Sequence, residues 1–321
     1  MGAGSLDDVL VVTVRKSFWR SAEAERFPHR IHARVLYGHS TALPNALLAF
    51  LRGVVAVWMR RPRLLVLGSV ERAVPWFLRL KRLGLLARTK IVVTNQLHLD
   101  DAQLEAVERD IVYSQAWIDR QRPQLRRKAV FVPLPADGDF EAARRAAAAG
   151  GAEARVVTGG GAGRDFASVI AAVEGTSVPL EVITFSPAML GWGGAVPANV
   201  TVSWTMPLPE FLARLAASLF VVVPLAAADS DHGQTTVVQA LSLGKAIVAT
   251  RSSGVVDYVR DGREGMLVDA GDVDGYRRAI RLLADDAELR AACERRAADR
   301  APDLTYERFG ARLAGICREL L

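Results

Sequence analysis

The chain has little of what several classes of protein need. It contains 2 cysteines in 321 residues, too few for a disulfide framework, and this favours a reduced, cytosolic compartment. Its most apolar stretch, Leu43 to Met59, is interrupted by Asn45, Arg52 and Gly53. It is shorter than the roughly 20 residues that span a bilayer. The first residues, MGAGSLDD, are acidic where a secretory signal would be basic. We therefore expect a cytoplasmic protein.

Composition and charge indicate a globular chain with two domains. Half of the residues are hydrophobic, which excludes intrinsic disorder. A length of 321 residues is about twice that of a typical domain. Residues 1–150 hold 24 basic and 14 acidic residues, whereas the remainder holds 17 and 21. The excess positive charge therefore belongs to the first half, and this predicts two domains with different partners, one of them anionic.

Strand-like and helix-like segments alternate along the chain. In the second half, apolar runs separated by helical patterns occur at 154–160, 180–185, 199–205, 219–225, 246–250 and 265–268. Such runs are typical of parallel strands that are buried on both faces. Noisier strand candidates in the first half are 8–14, 63–69, 90–95, 110–114 and 128–134. We predict an α/β protein with two Rossmann-like domains, parallel sheets and helices on both faces. The predicted parts are a first domain over 1–140, a linker over 141–153, a second domain over 154–300 and a C-terminal helix over 301–321 that packs back on the first domain.

A glycine-rich loop, TGGGAGRDF at 158–166, lies between a predicted strand and a predicted helix. Backbone N–H groups of such a loop can approach a phosphate at the positive end of the helix, and Arg164 could add a charged contact. The loop is also compatible with a plain tight turn. It lacks the dinucleotide pattern G-x-G-x-x-G, because the third glycine is replaced by Arg164 or Phe166. NAD and FAD are therefore not expected.

A second loop, ADSDHGQTTVVQALSLGK at 228–245, follows the predicted strand 219–225. It leads into a helix whose first turn, 233–236, can offer free N–H groups to an anion. Ligands of doubly wound folds bind at the carboxyl ends of strands, where this loop lies. Asp231 and Gln239 are a little over two helical turns apart and can share one face. Gln239 could instead satisfy a buried polar contact.

Together with SSGVVDYVRDGREGMLVDAGD at 252–272, these segments resemble the donor-binding domain of retaining glycosyltransferases of family 4. That family has the GT-B fold, in which two Rossmann-like domains face each other across a cleft. The resemblance is specific over about 155–275, and residues 110–140 are similar to the edge of the acceptor domain and the hinge. It implies transfer of a sugar from a nucleotide-diphosphate sugar to a hydroxyl acceptor, with retention of configuration and without a metal or other cofactor. The acceptor would be a glycolipid, a polysaccharide precursor or a secondary metabolite.

The resemblance also implies roles for individual residues. Arg164 would contact the donor diphosphate, Asp231 would act at the sugar, and Gln239 would bind the ribose. Asp231 is one methylene shorter than the family's Glu, Gln239 lacks its charge, and a second basic contact expected near Gly159 is missing. The predicted donor-binding residues are Gly160, Gly161, Arg164, His232, Gly233, Gln234, Thr235, Thr236 and Gln239. Thr184 and Met206 would lie near the nucleobase, within 184–187 and 204–208.

His98 is the second catalytic candidate beside Asp231. It follows the predicted strand 90–95 by three residues, where the family often places a polar residue facing the reaction centre; it could also be a plain loop residue. A competing interpretation treats Asp229, Ser230, Asp231 and His232 as an Asp-x-Asp site for Mg²⁺ or Mn²⁺. Such a site normally occurs earlier in a chain, and we do not expect a metal.

The basic excess is concentrated between Arg52 and Lys90. This window holds 10 basic residues and one acid, with Trp58, Trp76 and Phe77 interleaved. Helices of this composition can lie on anionic lipid, which leaves open a peripheral contact with the inner face of the membrane. A solvated helix face with its aromatic side chains in the core is the more ordinary interpretation. Nucleic acid is not expected, because no motif that reads it is present.

Two other functions remain open on the sequence alone. The first is a nucleotide-sugar epimerase or phosphorylase on the same fold. The second is a non-catalytic descendant that binds nucleotide sugar, since Gln239 and the missing basic contact both depart from the family pattern.

Overall fold

The computed structural model describes residues 6–13, 27, 29–32, 43–68, 72–95, 99–151 and 154–321. The chain divides into two compact units. Unit 1 consists of Met1–Pro133 with Tyr306–Leu321, and unit 2 consists of Leu134–Thr305. Each unit contains a parallel sheet flanked by helices, as predicted.

The described part of unit 1 contains one parallel sheet. Its strands are β1 (Val9–Thr13), β2 (His29–His32), β3 (Leu64–Gly68), β4 (Lys90–Thr94), β5 (Arg109–Val112) and β6 (Ala129–Phe131). They are arranged in the order β2-β1-β3-β4-β5-β6. The helices that follow the first two strands are α1 (Leu43–Arg60), α2 (Val74–Arg82), α3 (Asp101–Glu105), α4 (Gln115–Asp119) and α5 (Pro123–Lys128). The central strands are buried on both faces, and Phe77 of α2 packs edge-on against Phe50 of α1 at 5.1 Å between ring centroids.

Unit 2 has a second parallel sheet in its described residues. Its strands are β7 (Val156–Gly159), β8 (Leu180–Thr184), β9 (Val200–Trp204), β10 (Val221–Val223), β11 (Ile247–Thr250) and β12 (Gly265–Val268). Its helices are α6 (Phe140–Gly150), α7 (Phe166–Val173), α8 (Pro187–Leu190), α9 (Leu208–Ala217), α10 (Gln234–Ser242), α11 (Val273–Asp285) and α12 (Ala287–Arg300).

The strand order of unit 2 positions a crevice. The order is β12-β11-β10-β7-β8-β9. The chain therefore runs outward from β7 to β9 and then returns to place β10 on the other side of β7. The loops that leave β7 and β10 turn in opposite directions at this switch point, and they leave a crevice at the carboxyl ends of the strands.

The structure places a helix where the sequence predicts a linker over 141–153. Helix α6 begins after Asp139, whose carboxylate accepts a hydrogen bond from the N–H of Ala142 at 2.9 Å. Its alanine-rich sequence has high helix propensity, although the small residues resemble a linker in composition. The helix packs against α9, and Arg144 donates to the carbonyl of Ser242. The boundary between the units accordingly lies at Pro133, before the predicted end of the first domain at residue 140.

The last helix, α13 (Tyr306–Leu320), belongs to unit 1. It follows a short 3-10 turn over Ala301–Leu304, which is still part of unit 2. Arg63 and Lys90 donate to the carbonyls of Leu321 and Leu320 at 2.6 and 2.5 Å. Basic side chains at this position satisfy free carbonyls and complement the negative end of the helix dipole.

Candidate active site

A cavity of about 430 Å³ opens in unit 2 at the carboxyl ends of β7 and β8, beside the first turn of α10. It lies at the switch point of the sheet, between the glycine loop that follows β7 and the loop that follows β10. The predicted residues that line it are Gly160, Gly161, Arg164, Thr184, Met206, His232, Gly233, Gln234, Thr235, Thr236 and Gln239. Two loops that are about 70 residues apart in sequence therefore form one site.

The glycine loop makes room for the side chain of Arg164. Gly160 has φ of 128°, and a Cβ atom there would lie 2.7 Å from the guanidinium Nη2. The guanidinium lies over the loop, where Nε donates to the carbonyl of Gly159 at 3.1 Å. Nη2 donates to the hydroxyl of Thr236 at 2.9 Å. Arg164 thus connects the end of β7 to the first turn of α10.

In the part of the chain that the structure describes, no acidic side chain pairs with the charge of Arg164. Its guanidinium donates there to two neutral oxygens, those of Gly159 and Thr236. Removal of water lowers the pKa of Arg164 to about 10, so the group remains cationic at neutral pH. A desolvated cation without a carboxylate is costly unless an anion binds beside it. The site therefore favours an anionic ligand.

The first turn of α10 supplies a second positive feature. Gly233, whose φ is 93°, is its N-cap residue, and no side chain in the described part of the chain caps the helix. Gln234, Thr235 and Thr236 of this turn line the cavity, and the N–H groups of a first turn have no partner within the helix. Free N–H groups and the positive end of the helix dipole form a site for phosphate or carboxylate.

The cavity lining also has an apolar part. It is formed by Ile183, Phe185, Met206, Leu208 and Phe211. Phe211 covers the glycine loop so closely that a Cβ atom at position 159 would lie 2.6 Å from its ring. Ile183 and Phe211 are not among the predicted site residues; the only signal in the sequence is their position in a predicted strand and a predicted helix. Apolar side chains beside an anion site suit a ligand with a planar ring and a charged group.

Gln239 lines the cavity and also makes a buried polar contact. Its side chain is 3% exposed, and its amide nitrogen donates to the carbonyl oxygen of Asp137 at 3.4 Å. The structure shows the polar contact, and binding of the ribose by this residue stays a prediction. The partner oxygen can only accept a hydrogen bond, so an amide suits this position and a carboxylate does not.

The backbone before α10 is fixed by a second loop. Gly254 and Ser253 donate from their N–H groups to the carbonyls of Ser230 and Ala228 at 2.8 and 3.0 Å. A Cβ atom at Gly254 would lie 2.4 Å from the carbonyl oxygen of His232. The sequence SSG at 252–254 thus positions the loop that lines the cavity.

Asp231, one of the two predicted catalytic residues, is not among the described residues that line the cavity. Asp231 immediately precedes the lining segment, and its carboxylate lies 3.8 Å from Nδ1 of His232. His98 lies outside the described residues. Where the structure describes the chain, no three His, Cys, Asp or Glu side chains form a group that could hold a metal ion. The segment 229–232 is therefore not such a group.

Known proteins with related sequences are glycosyltransferases. Residues 195–300, a third of the chain, match the family Glycosyl transferases group 1. A segment of 54 residues is 39% identical to the lipopolysaccharide core biosynthesis glycosyltransferase LpsE of Rhizobium meliloti (strain 1021). This segment covers 17% of the present chain and 16% of LpsE. The matched family domain includes the loop after β10 and helix α10, but not the glycine loop or Arg164.

Solved structures show a similar fold over nearly the whole chain. Anabaena HepE in complex with UDP-glucose has a TM-score of 0.64 and 14% identity, covering 99% of this chain and 97% of HepE. Sucrose-phosphate synthase from Thermosynechococcus elongatus has a TM-score of 0.66 and 16% identity, covering 91% and 84% of the two chains. The likeness confirms the predicted GT-B fold class. The chain therefore has the GT-B fold, and a third of it matches a family of glycosyltransferases.

Proposed function

We propose that the protein transfers a sugar from a nucleotide-diphosphate sugar to a hydroxyl acceptor, with retention of configuration. The observation that carries this proposal is the guanidinium of Arg164 beside the first turn of α10, both at one cavity. A diphosphate placed there would be bound by one full charge and by several N–H groups. The structure of HepE in complex with UDP-glucose supports a nucleotide-sugar donor.

The proposed ligand position uses both walls of the cavity. The nucleobase would lie against Phe185 and Phe211, and the ribose would reach the side chain of Gln239. The sugar would then be directed toward Asp231 and His232, at the loop before α10. A volume of about 430 Å³ is within the range that holds a ligand of this size.

The same groups would assist the chemical step. When the bond between the anomeric carbon and the diphosphate breaks, the electron pair moves to the diphosphate oxygen. Arg164 and the N–H groups of α10 would stabilise this developing charge. The acceptor hydroxyl would attack on the face that the diphosphate leaves, as retention requires, and its proton would pass to the departing phosphate oxygen. The carboxylate of Asp231 would stabilise positive charge on the sugar ring.

Calorimetry and turnover assays test this proposal. Titration with UDP, GDP and ADP, followed by the matching sugar nucleotides, should identify a donor that binds. Incubation with that donor and candidate acceptors should give a product whose anomeric configuration is read by NMR. We also propose that the reaction needs no metal, so activity should persist in excess chelator. The absence of binding by every nucleoside diphosphate would overturn the proposal.

The alternative functions give different outcomes in the same assays. An epimerase would isomerise the donor without an acceptor, and a phosphorylase would require inorganic phosphate. A non-catalytic binding protein would bind the donor while neither transfer nor hydrolysis occurs. The neutral side chain of Gln239 is the observation that favours this last alternative. The retaining glycosyltransferases of family 4, which the sequence resembles, have a charged residue at this position.

A further inference from the structure

Helix α1 is apolar on two opposite faces. Its inner face packs on unit 1: Ala49 is fully buried, and a Cβ atom at Gly53 would lie 2.6 Å from the ring of Phe77. Its outer face carries a row of large apolar side chains that are about half exposed or more, namely Leu47, Leu51, Val55, Trp58 and Met59. Their spacing of three or four residues places them along one side of the helix for three turns.

Such a row is unusual for a surface helix. Single exposed apolar residues are ordinary, whereas a continuous strip marks an interaction site. A helix that is apolar on all sides normally has a partner on all sides. Trp58 has the highest exposure in this strip, at 77%. Within the described ranges, no helix combines the length and apolarity needed to cross a bilayer, so α1 could contact one only at its surface.

The charges that the sequence places on and beside α1 are all of one sign. No acidic residue occurs between Phe27 and Val70 in the sequence. Arg52 borders the strip on the helix, while Arg60 and Arg61 lie at its C-terminal end and are exposed. A symmetric contact between two copies of the chain would bring two sets of these arginines into one interface without an acidic residue of α1 to pair with them. The charge pattern therefore favours an anionic partner over a second copy.

The structure shows which apolar side chains of the basic segment Arg52–Lys90 are exposed. Of its aromatic residues, Phe77 is fully buried, and Trp76 packs edge-on against Phe50 at 5.3 Å. Trp58 is the most exposed of the three. Leu83 and Leu85, after α2, are also exposed, but the continuous apolar strip within the range 52–90 is the outer face of α1.

We propose that the outer face of α1 docks onto the surface of an anionic lipid bilayer. The apolar strip would enter the boundary between head groups and acyl chains, where tryptophan is favoured. Arg52, Arg60 and Arg61 would contact lipid phosphates. This interaction surface is independent of the donor site, which lies in unit 2.

Vesicle co-sedimentation tests the proposal with two variants of the strip and one matched control. One variant removes apolar surface (Leu51→Ser, Val55→Ser and Trp58→Ser together), and another removes charge (Arg52→Gln with Arg61→Gln). The control, Leu282→Ser with Arg281→Gln, changes an exposed apolar and an exposed basic residue on α11. The vesicles are pure phosphatidylcholine or an equimolar mixture with phosphatidylglycerol.

The wild-type chain should bind the mixed vesicles, bind pure phosphatidylcholine weakly, and dissociate as salt is added. Each arginine at an anionic surface contributes about fivefold in affinity, so the charge variant should bind about 25-fold more weakly. The apolar variant should lose binding to both kinds of vesicle, and the control should match the wild type. Unchanged circular dichroism and thermal unfolding of every variant would show that the chain still folds, and this control does not depend on the donor site in unit 2.

Two outcomes would overturn the proposal. The first is equal sedimentation of the wild type and the apolar variant with mixed vesicles, whether both bind or neither does. The second is a lipid-free dimer, detected by analytical ultracentrifugation, that disappears in the apolar variant. That result would assign the strip to contact between two copies of the chain.

Discussion

Replacing Arg164 with methionine should separate ligand binding from stability. Methionine retains much of the length of the side chain and removes its charge. The substitution loses hydrogen bonds to the oxygens of Gly159 and Thr236, and it also removes a desolvated cation that has no acidic partner among the described residues. These effects oppose each other, and replacement of a buried ionic group by a well-packed apolar one is often neutral or stabilising.

The expected magnitudes differ for the two properties. The free energy of unfolding without ligand should change by less than about 1 kcal/mol, which is a shift in Tm of less than about 4 °C for a unit of this size. Loss of a charge-assisted contact with the diphosphate should cost about 1.5–3 kcal/mol, or about 10- to 100-fold in Kd. Arg278→Met, on the exposed side of α11, is the matched control and should change neither property.

Differential scanning fluorimetry and calorimetry with the preferred nucleoside diphosphate measure the two effects. The reasoning would be refuted by unchanged nucleotide affinity in the methionine variant. It would also be refuted by a decrease of several kcal/mol in the free energy of unfolding, because the main role of the arginine would then be structural and not the binding of an anion. Arg164→Lys should be intermediate in affinity, since it keeps the charge but not the planar fork.

Three further predictions concern the same site. Because the pKa of Arg164 is lowered to about 10, nucleotide affinity should be constant near neutral pH and decline as pH rises through about 10. As pH rises through the same value, the free energy of unfolding without ligand should increase, because the desolvated charge of Arg164 is lost. A flat affinity profile to higher pH would contradict the role of this residue. Gly254→Ala should reduce turnover at least about tenfold, because its Cβ would displace the loop that lines the cavity. The control is Gly315→Ala, where the added Cβ meets open space. Equal activity of the two variants would contradict the proposed role of Gly254. Gln239→Glu should weaken donor binding by about 1–3 kcal/mol, because a buried carboxylate would face the carbonyl of Asp137. Tighter binding of the donor by this variant in calorimetry would contradict the prediction.

Much of the fold could be predicted because the strands are apolar on both faces. Runs such as VVTG in β7 and IVAT in β11 are buried throughout and are recognisable without their neighbours. Strand β2 has the sequence HRIH, which shows no apolar run, and it was not predicted. Helix α6 was not predicted either, because its alanines and charges have the composition of a linker. Its position depends on packing against α9, which local sequence does not reveal.

The candidate site could be predicted where backbone geometry determines it. The sequence places the glycines at 160, 161 and 233 and the first turn of α10 at the ends of predicted strands and helices, and the structure has them there. The direction in which a side chain points could not be predicted in this way. Nothing in the sequence shows that Arg164 reaches Thr236, 72 positions away, or that Gln239 donates to Asp137. Likewise, Phe211 approaches the glycine loop through helix packing and not through sequence proximity.

The bridge made by Arg164 has a consequence for the kinetics and entropy of binding. A free arginine side chain loses about 2 kcal/mol of rotamer entropy when it is immobilised. Here the guanidinium is already held at both ends of the bridge by Gly159 and Thr236. Ligand binding therefore need not order it, so the phosphate contact should add to affinity with little entropic loss. Ordering of the Arg164 side chain should accordingly add no slow phase to association.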